Sequence, residues 1–239
     1  MKNDILTLLQ IKNVGRRTIN KAIKDGSINK LLEKHHTEIA EAQGKAEAIK
    51  EFCRKNYIEF TTILDDNFPA CLKSIPDPPT ILFCRGNLSL LGSRAVAIVG
   101  SRKPTDYSMK AAYRLSKIFT EKGFTIVSGL ATGIDTAAHT SCLDSGGKTI
   151  AVMPCGLDKV YPALNKVLAQ RILCSGGLLV SEYAPGTVIQ KSYFVERDRL
   201  QSGLSQGVIV VESTADGGTM HTARFALHQG RPLGVMAPP

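Results

Sequence analysis

The sequence predicts an α/β protein: a parallel β-sheet with helices on both faces, preceded by a small all-α bundle. Three observations carry this. Short apolar runs recur from residue 93 onward, at 95–99, 125–127, 149–153, 178–180, 208–211 and 233–236. Helix-length segments separate most of them, at about 107–122, 133–145, 162–174, 191–203 and 218–229. Strands that alternate with helices form βαβ units, whose sheet is parallel and covered on both faces. Finally, residues 1–56 differ from the rest: they lack proline and are rich in Lys, Glu, Ala, Ile and Leu.

Each part has its own signal. In 1–56, Ile5, Leu8 and Leu9, then Ile19, Ala22 and Ile23, then Ala40, Ala46, Ile49 and Phe52 recur at helical spacing. Residues 57–92 form a connecting segment. Its Phe68-Pro69 and Pro76-Asp77-Pro78-Pro79 stop helices and fix turns, and Ile81-Leu82-Phe83-Cys84 reads as a short strand. Residues 93–239 form the second domain. Ligands of such sheets sit at the carboxyl ends of the strands.

The chain of 239 residues is long enough for one medium and one small domain without disulfide staples. Its 43% hydrophobic and 21% charged residues exclude disordered, collagen-like and coiled-coil architectures. Thirty Lys+Arg against 21 Asp+Glu leave a net charge of +9, which points to a polyanionic partner. Residues 1–60 hold 12 cations and 8 anions (+4) and 61–239 hold 18 and 13 (+5), so no basic tail explains the excess. Tryptophan is absent and aromatics are 6%, which argues against a long ladder of base-stacking rings. No apolar run approaches the ~18 residues of a membrane span, and Met1-Lys2-Asn3-Asp4-Ile5 lacks the apolar run of a signal peptide. The six cysteines form no Cys-x-x-Cys and have no nearby histidines. A zinc site is disfavoured, and reduced thiols in a cytoplasmic protein are expected.

The strand-end loops carry the chemistry. Val99-Gly100-Ser101-Arg102 follows a strand and opens a helix; glycine allows close approach, helix-start amides favour an anion, and Arg102 offers a planar donor fork. It is not Gly-x-Gly-x-x-Gly, and no acidic residue closes a following strand, so a dinucleotide site is disfavoured. Ser128-Gly129-Leu130-Ala131-Thr132-Gly133-Ile134-Asp135 permits a tight loop, with Asp135 or Thr136 as helix cap. His139, on the same helix, reads as a surface or packing residue. Cys155 lacks a base that would make it a nucleophile, and Tyr161-Pro162 starts a helix. In Lys191-Ser192-Tyr193-Phe194-Val195-Glu196-Arg197-Asp198-Arg199, three cations and two aromatics lie close together. A cation beside a ring is the minimal unit for holding a phosphate and stacking a base; the spacing equally allows a core Phe194. Asp216-Gly217-Gly218-Thr219 forms another amide nest before a helix, with Glu212 able to hold that loop. Ile11-Lys12-Asn13-Val14-Gly15-Arg16-Arg17-Thr18 partly resembles a helix-hairpin-helix turn, either a DNA contact or a plain interhelical turn.

Taken in order, these loops resemble the bacterial DNA-processing family called DprA or Smf. The resemblance rests on the Gly100-Ser101-Arg102 and Ser128–Asp135 loops and on Gly156-Leu157-Asp158 with Tyr161-Pro162 and Asn165. It continues through Ser181-Glu182-Tyr183, Pro185-Gly186-Thr187, Gly203-Leu204-Ser205, Val210-Val211-Glu212, Thr222-Ala223 and Gly230-Arg231. It covers about 60–239 well and 1–56 loosely. It implies an extended Rossmann-like domain behind a sterile-alpha-motif-like one. It also implies a homodimer that binds single-stranded DNA, protects incoming strands and loads a RecA-type recombinase in natural transformation, with no catalytic residues and no cofactor. The family's strand-holding positions correspond to Gly100, Ser101, Arg102, Lys191 and Phe194. With the loop readings, Ser128, Gly129, Gly133, Arg197, Arg199, Gly218 and Thr219 complete the expected nucleic-acid-binding set.

Three departures stand out. The family often has Asn at Asp198, so a negative charge is added near the strand. A Ser-Gly-Ser-Leu turn becomes Gly217-Gly218-Thr219-Met220. The chain ends at Pro238-Pro239 where relatives continue, as a shortened chain or a reduced relative would. The competing class is a nucleotide phosphoribohydrolase with a Pro-Gly-Gly-x-Gly-Thr-x-x-Glu loop. Here 216–222 lacks its first Pro and final Glu, and with the Glu the general acid/base.

Overall fold

The computed structural model describes residues 2–237. Four helices come first: α1 (Lys2–Leu8), α2 (Arg16–Lys24), α3 (Ile28–Lys34) and α4 (His36–Lys55). Their apolar stripes meet in one cluster built on Ile5, Leu8, Ile11, Val14, Ile19 and Ala42. The other stripe of α1 and α4 does not stay within the bundle. Leu6, Ala46 and Cys53 pack with Ile58, Ile81, Phe83, Met153 and Leu179, so the bundle rests on the sheet through a shared core.

The segment 57–92 gives more regular structure than one short strand. It holds β1 (Glu59–Thr62), the single-turn α5 (Ala70–Lys73) and β2 (Ile81–Gly86). β1 and β2 pair antiparallel, and β2 pairs antiparallel with β6 (Leu178–Ser181). The sheet is therefore mixed, with an antiparallel edge on a parallel core, as large α/β sheets commonly are. β1 escapes the sequence pattern because it is four residues long with two of them threonine.

The expected strands of the second part form β3 (Ala95–Val99), β4 (Thr125–Ser128), β5 (Thr149–Met153), β6, β7 (Val208–Val210) and β8 (Leu233–Val235), all parallel. The strands from β3 to β6 are buried along their whole length, which is why they read as continuous apolar runs. Alternate residues of β3 face opposite layers. Val96 and Ile98 pack on α6 (Asp106–Glu121) and α7 (Ile134–Asp144), while Ala95, Ala97 and Val99 pack on the side of α9 (Lys191–Gly203) and α10 (Thr219–His228). α8 (Lys166–Cys174) covers β5 and β6 on the α7 side. The result is a Rossmann-like three-layer α/β/α arrangement.

The strand order is β1-β2-β6-β5-β4-β3-β7-β8. The chain steps outward from β3 through β4, β5 and β6, then returns to the other side of β3 as β7. The order reverses between β3 and β7, and such a switch point opens a crevice at the carboxyl ends of those strands.

Candidate nucleic-acid interface

A cavity of about 500 Å³ occupies this crevice. Its walls are the loop after β3 (Gly100 to Lys103), the loop and helix start after β7 (including Ser213, Gly218, Thr219 and His221), Ala131 and Asp135 after β4, and one side of α9. A second cavity of about 120 Å³ adjoins it, lined by Gly129, Thr132, Pro154, Tyr161 and Pro162. Arg102, Phe194 and Arg197 line both.

The loop after β3 is fixed by its neighbours. Ser101 N–H donates to the Glu212 carbonyl (2.8 Å), and Ile134 N–H donates to the Ser101 carbonyl (3.1 Å). A Cβ on Gly100 would stand 2.5 Å from Ile134 Cγ1, so only glycine lets the loop lie against α7. Gly133 has φ +78° and would press a side chain onto the Ser101 carbonyl. The glycines expected to approach a ligand thus bring two strand-end loops together. Glu212 does not hold the 216–219 turn as expected. Its carboxylate accepts Thr105 N–H (2.9 Å) and Oγ1–H (2.8 Å) before α6, which keeps it below the usual carboxylate range.

Arg102 and Phe194 form the partition between the cavities. The guanidinium carbon lies 5.4 Å from the Phe194 ring centroid, a cation–π distance. The Tyr161 ring meets Phe194 edge-on, with centroids 5.2 Å apart. Phe194 is half-buried, neither a core residue nor free. Lys191 stands exposed one helical turn before it, at the start of α9 and outside both linings. Among the described residues, neither Arg102 nor Lys103 is salt-bridged to a carboxylate, so the mouth keeps two free positive charges.

The floor is also charged, with Arg197 set against two buried carboxylates. Arg197 is buried; its Nη1–H donates to the Val152 carbonyl (3.2 Å), and its Nε lies 3.3 Å from Asp198 Oδ1. A Cβ on Gly129 would overlap that guanidinium, which gives this glycine its structural reason. Asp135 is not a helix cap: its carboxylate accepts the amides of Gly129 (3.1 Å) and Ala131 (3.2 Å) and ties the β4 loop. Burial raises the Asp135 carboxyl, against the pull of Arg197. Burial pushes the Asp198 carboxyl up to about 7, again opposed by Arg197. His139 is fully buried and donates from Nδ1 to Thr149 Oγ1 (2.7 Å), whose own proton goes to the Ile126 carbonyl (2.6 Å). Burial, then Arg197, lowers it to about 3, so it is a neutral packing residue. Burial raises the Cys155 thiol to about 11.

Two expected site residues lie elsewhere. Ser128 is buried and donates to the Ile98 carbonyl (2.7 Å), so its hydroxyl serves the sheet. Arg199 faces away from the cavities. Its Nη2 binds both Glu182 oxygens at 2.7 Å, and Arg16 of α2 reaches the same Glu182 (3.3 Å), Asp77 (2.7 Å) and Glu196 (3.1 Å). The Ser181-Glu182-Tyr183 stretch therefore belongs to a latch between the helical bundle and α9. The sequence suggests only a helix start at Tyr161; its ring forms a wall of the smaller cavity, with Pro162, in a cis peptide bond, beginning a 3₁₀ turn. Ser213, Thr214 and His221 carried no sequence signal, because only the β3–β7 switch brings them to the site.

The chain has clear relatives among known proteins. The family model for DNA recombination-mediator protein A matches residues 59–239. The chain belongs to this family. Curated members similar to it include DNA processing protein DprA of Bacillus subtilis (42% identical, covering 74% of this chain and 60% of that protein) and DprA of Streptococcus pneumoniae (45%, covering 71% and 60%). Protein Smf of Escherichia coli is 40% identical over 72% of this chain and 46% of its own length. The chain thus spans about half to three-fifths of these relatives. The X-ray structure of DprA from S. pneumoniae superposes with a TM-score of 0.74 at 36% identity, over 95% of this chain and 88% of that one. A Helicobacter pylori DprA structure, described for its single-stranded DNA binding mode, gives 0.69 at 35% identity, over 76% and 82%. Among the described residues no His, Cys, Asp and Glu cluster is placed to hold a metal, the cysteines are free thiols, and no helix is long and apolar enough to cross a membrane.

Proposed function

We propose that this chain binds single-stranded DNA in the β3–β7 crevice, as a non-enzymatic member of a DNA recombination pathway. The observation that carries the reading is the Arg102–Phe194 partition. It offers an unpaired guanidinium for a phosphate and a half-exposed ring for a base, the combination single-strand sites use. Gly100, Ser101, Gly218 and Thr219 supply backbone and hydroxyl donors beside it, and Lys191 adds an exposed charge one helical turn before Phe194 on α9. Arg197, with Gly129 and Gly133, acts by shaping the floor. The acidic groups near the cavity are already engaged: Glu212 by Thr105, and Asp135 and Asp198 by amides and Arg197. This supports binding over hydrolysis. The family description, a recombination mediator, supports a further reading, that the bound strand is handed to a RecA-type recombinase; the resemblance of the loops adds strand protection and a homodimer to that reading.

Phe194→Ala tests the site. Loss of stacking on one base costs about 1–3 kcal/mol, roughly 5- to 150-fold in Kd for a fluorescent oligonucleotide. An unchanged Kd with a lowered Tm makes Phe194 a packing residue and removes the central observation.

A further inference from the structure

The cations of the helical bundle contrast most between α4 and α2; Arg16 belongs to the latch, and Lys30 and Lys34 of α3 are exposed and, among the described residues, not salt-bridged. On α4, Lys45, Lys50, Arg54 and Lys55 each lie within 3.2 Å of a glutamate of the same helix. On α2 and the turn before it, Lys12, Arg17, Lys21 and Lys24 are exposed, and none is salt-bridged among the described residues. Arg17, Lys21 and Lys24 are spaced i, i+4, i+7, so they form one stripe. The nearest acid in sequence is Asp25, at the helix C-cap.

The stripe is held in place. Arg16, beside it, binds Asp77 through Nε (3.0 Å) and Nη2 (2.7 Å) and Glu196 through Nη1 (3.1 Å). One turn on, Asn20 Nδ2–H donates to the Pro78 carbonyl (2.7 Å). Glu196 sits on α9 between Phe194 and Arg197, which line the cavities. α2 and the cavity therefore flank one helix, a body about 10–12 Å across. Like-charged exposed groups left without partners favour a polyanion, and a strand leaving the crevice past Lys191 supplies one. An acidic membrane fits less well: the apolar residues Ile19 and Ala22 are buried, and no large apolar residue of α2 is exposed to enter a bilayer.

We infer that the α2 stripe, with Lys12, is a second contact surface for the phosphates of the same DNA strand. This rests on the crevice reading above. The experiment compares Kd over a salt series for labelled thymidine oligonucleotides of about 5 and about 20 nucleotides, lengths near and beyond the short end of single-strand sites. The variants are Arg17→Gln/Lys21→Gln/Lys24→Gln, a control with equal charge loss from paired positions (Lys45→Gln/Lys50→Gln/Arg54→Gln), and Arg102→Ala. The stripe variant should bind the short oligonucleotide normally. It should bind the long one at least about tenfold more weakly at 0.1 M salt, with a log Kd–log salt slope shallower by about 2, at 0.7 per lost phosphate contact. The control should change neither. Equal losses in stripe and control variants, or none in the stripe variant, overturn the inference. Stripe-dependent binding to phosphatidylglycerol vesicles with DNA binding unaffected assigns the stripe to a membrane and also overturns it. If Arg102→Ala changes nothing while the stripe variant loses long-strand binding, the crevice reading fails and the stripe stands.

Discussion

Arg197→Met removes one cation from a floor that holds two buried carboxylates. Asp135 and Asp198 are 6% and 8% exposed, and both face Arg197. Breaking a buried pair by deleting one partner costs about 3–5 kcal/mol when the remaining charge has no other cation. Asp135 keeps two amide donors, and Asp198 keeps the Gln201 amide (2.9 Å) and the weaker pull of Arg102, which places the expected loss near about 3 kcal/mol. For a chain of this size that is about 6–12 °C in Tm. The loss should depend on pH. Asp198 already titrates near 7, far above an exposed aspartate, so the folded state binds its proton more tightly than the unfolded state. Stability from this group is complete below the unfolded value near 4 and is lost as pH rises through 7. Without Arg197 both carboxyls move up further and protonate, so the variant should be nearly repaired at pH 5 and weakest at pH 8. Thermal unfolding followed by circular dichroism at the two pH values reads this directly. An equal Tm loss at both, or a loss below about 2 °C, refutes the charge balance assigned to the floor.

Other expectations follow from the same contacts. Asp198→Asn should flatten the pH dependence of DNA binding. The wild type should bind more tightly as pH falls through about 7 and the carboxyl loses its charge, and oligonucleotide titrations at pH 6 and 8 would show the difference disappear. Arg16→Ala deletes the bundle's contacts with Asp77, Glu182 and Glu196; since Asp77 and Glu196 are about one-third exposed, the cost is about 1–3 kcal/mol. Hydrogen exchange should rise in α1 and α2 but not in β4 and β5; uniform exchange would deny the latch. Leu6→Ala cuts the core shared by bundle and sheet and should cost about 2–5 kcal/mol by denaturant unfolding.

Much of the parallel sheet was legible because strands buried on both faces must be apolar throughout, as 95–99 and 149–153 are. The antiparallel edge was not: direction of pairing leaves no periodic trace, and Glu59–Thr62 is short and half polar. That Arg102 and the Gly100 loop would stand at the β3 strand end, where they meet Phe194 at one crevice, was legible because the carboxyl ends of such strands are where the loops gather. Arg199 was misplaced by counting cations without counting angle. Residues two apart on a helix point about 200° apart, so Arg197 and Arg199 cannot share the cavity side. Ser128 was misplaced because a serine at the end of a strand can face the loop or the sheet, and alternation puts its hydroxyl on the Ile98 carbonyl.

The most direct test of the crevice as a single-strand site is a salt series of Kd for single- and double-stranded oligonucleotides of one sequence, with wild type and Arg102→Ala. A clear single-strand preference and weaker binding by Arg102→Ala are expected, with a slope shallower by about 0.7 on single strands. Equal affinity for both forms, or an Arg102→Ala curve that overlays the wild type, would contradict the crevice reading.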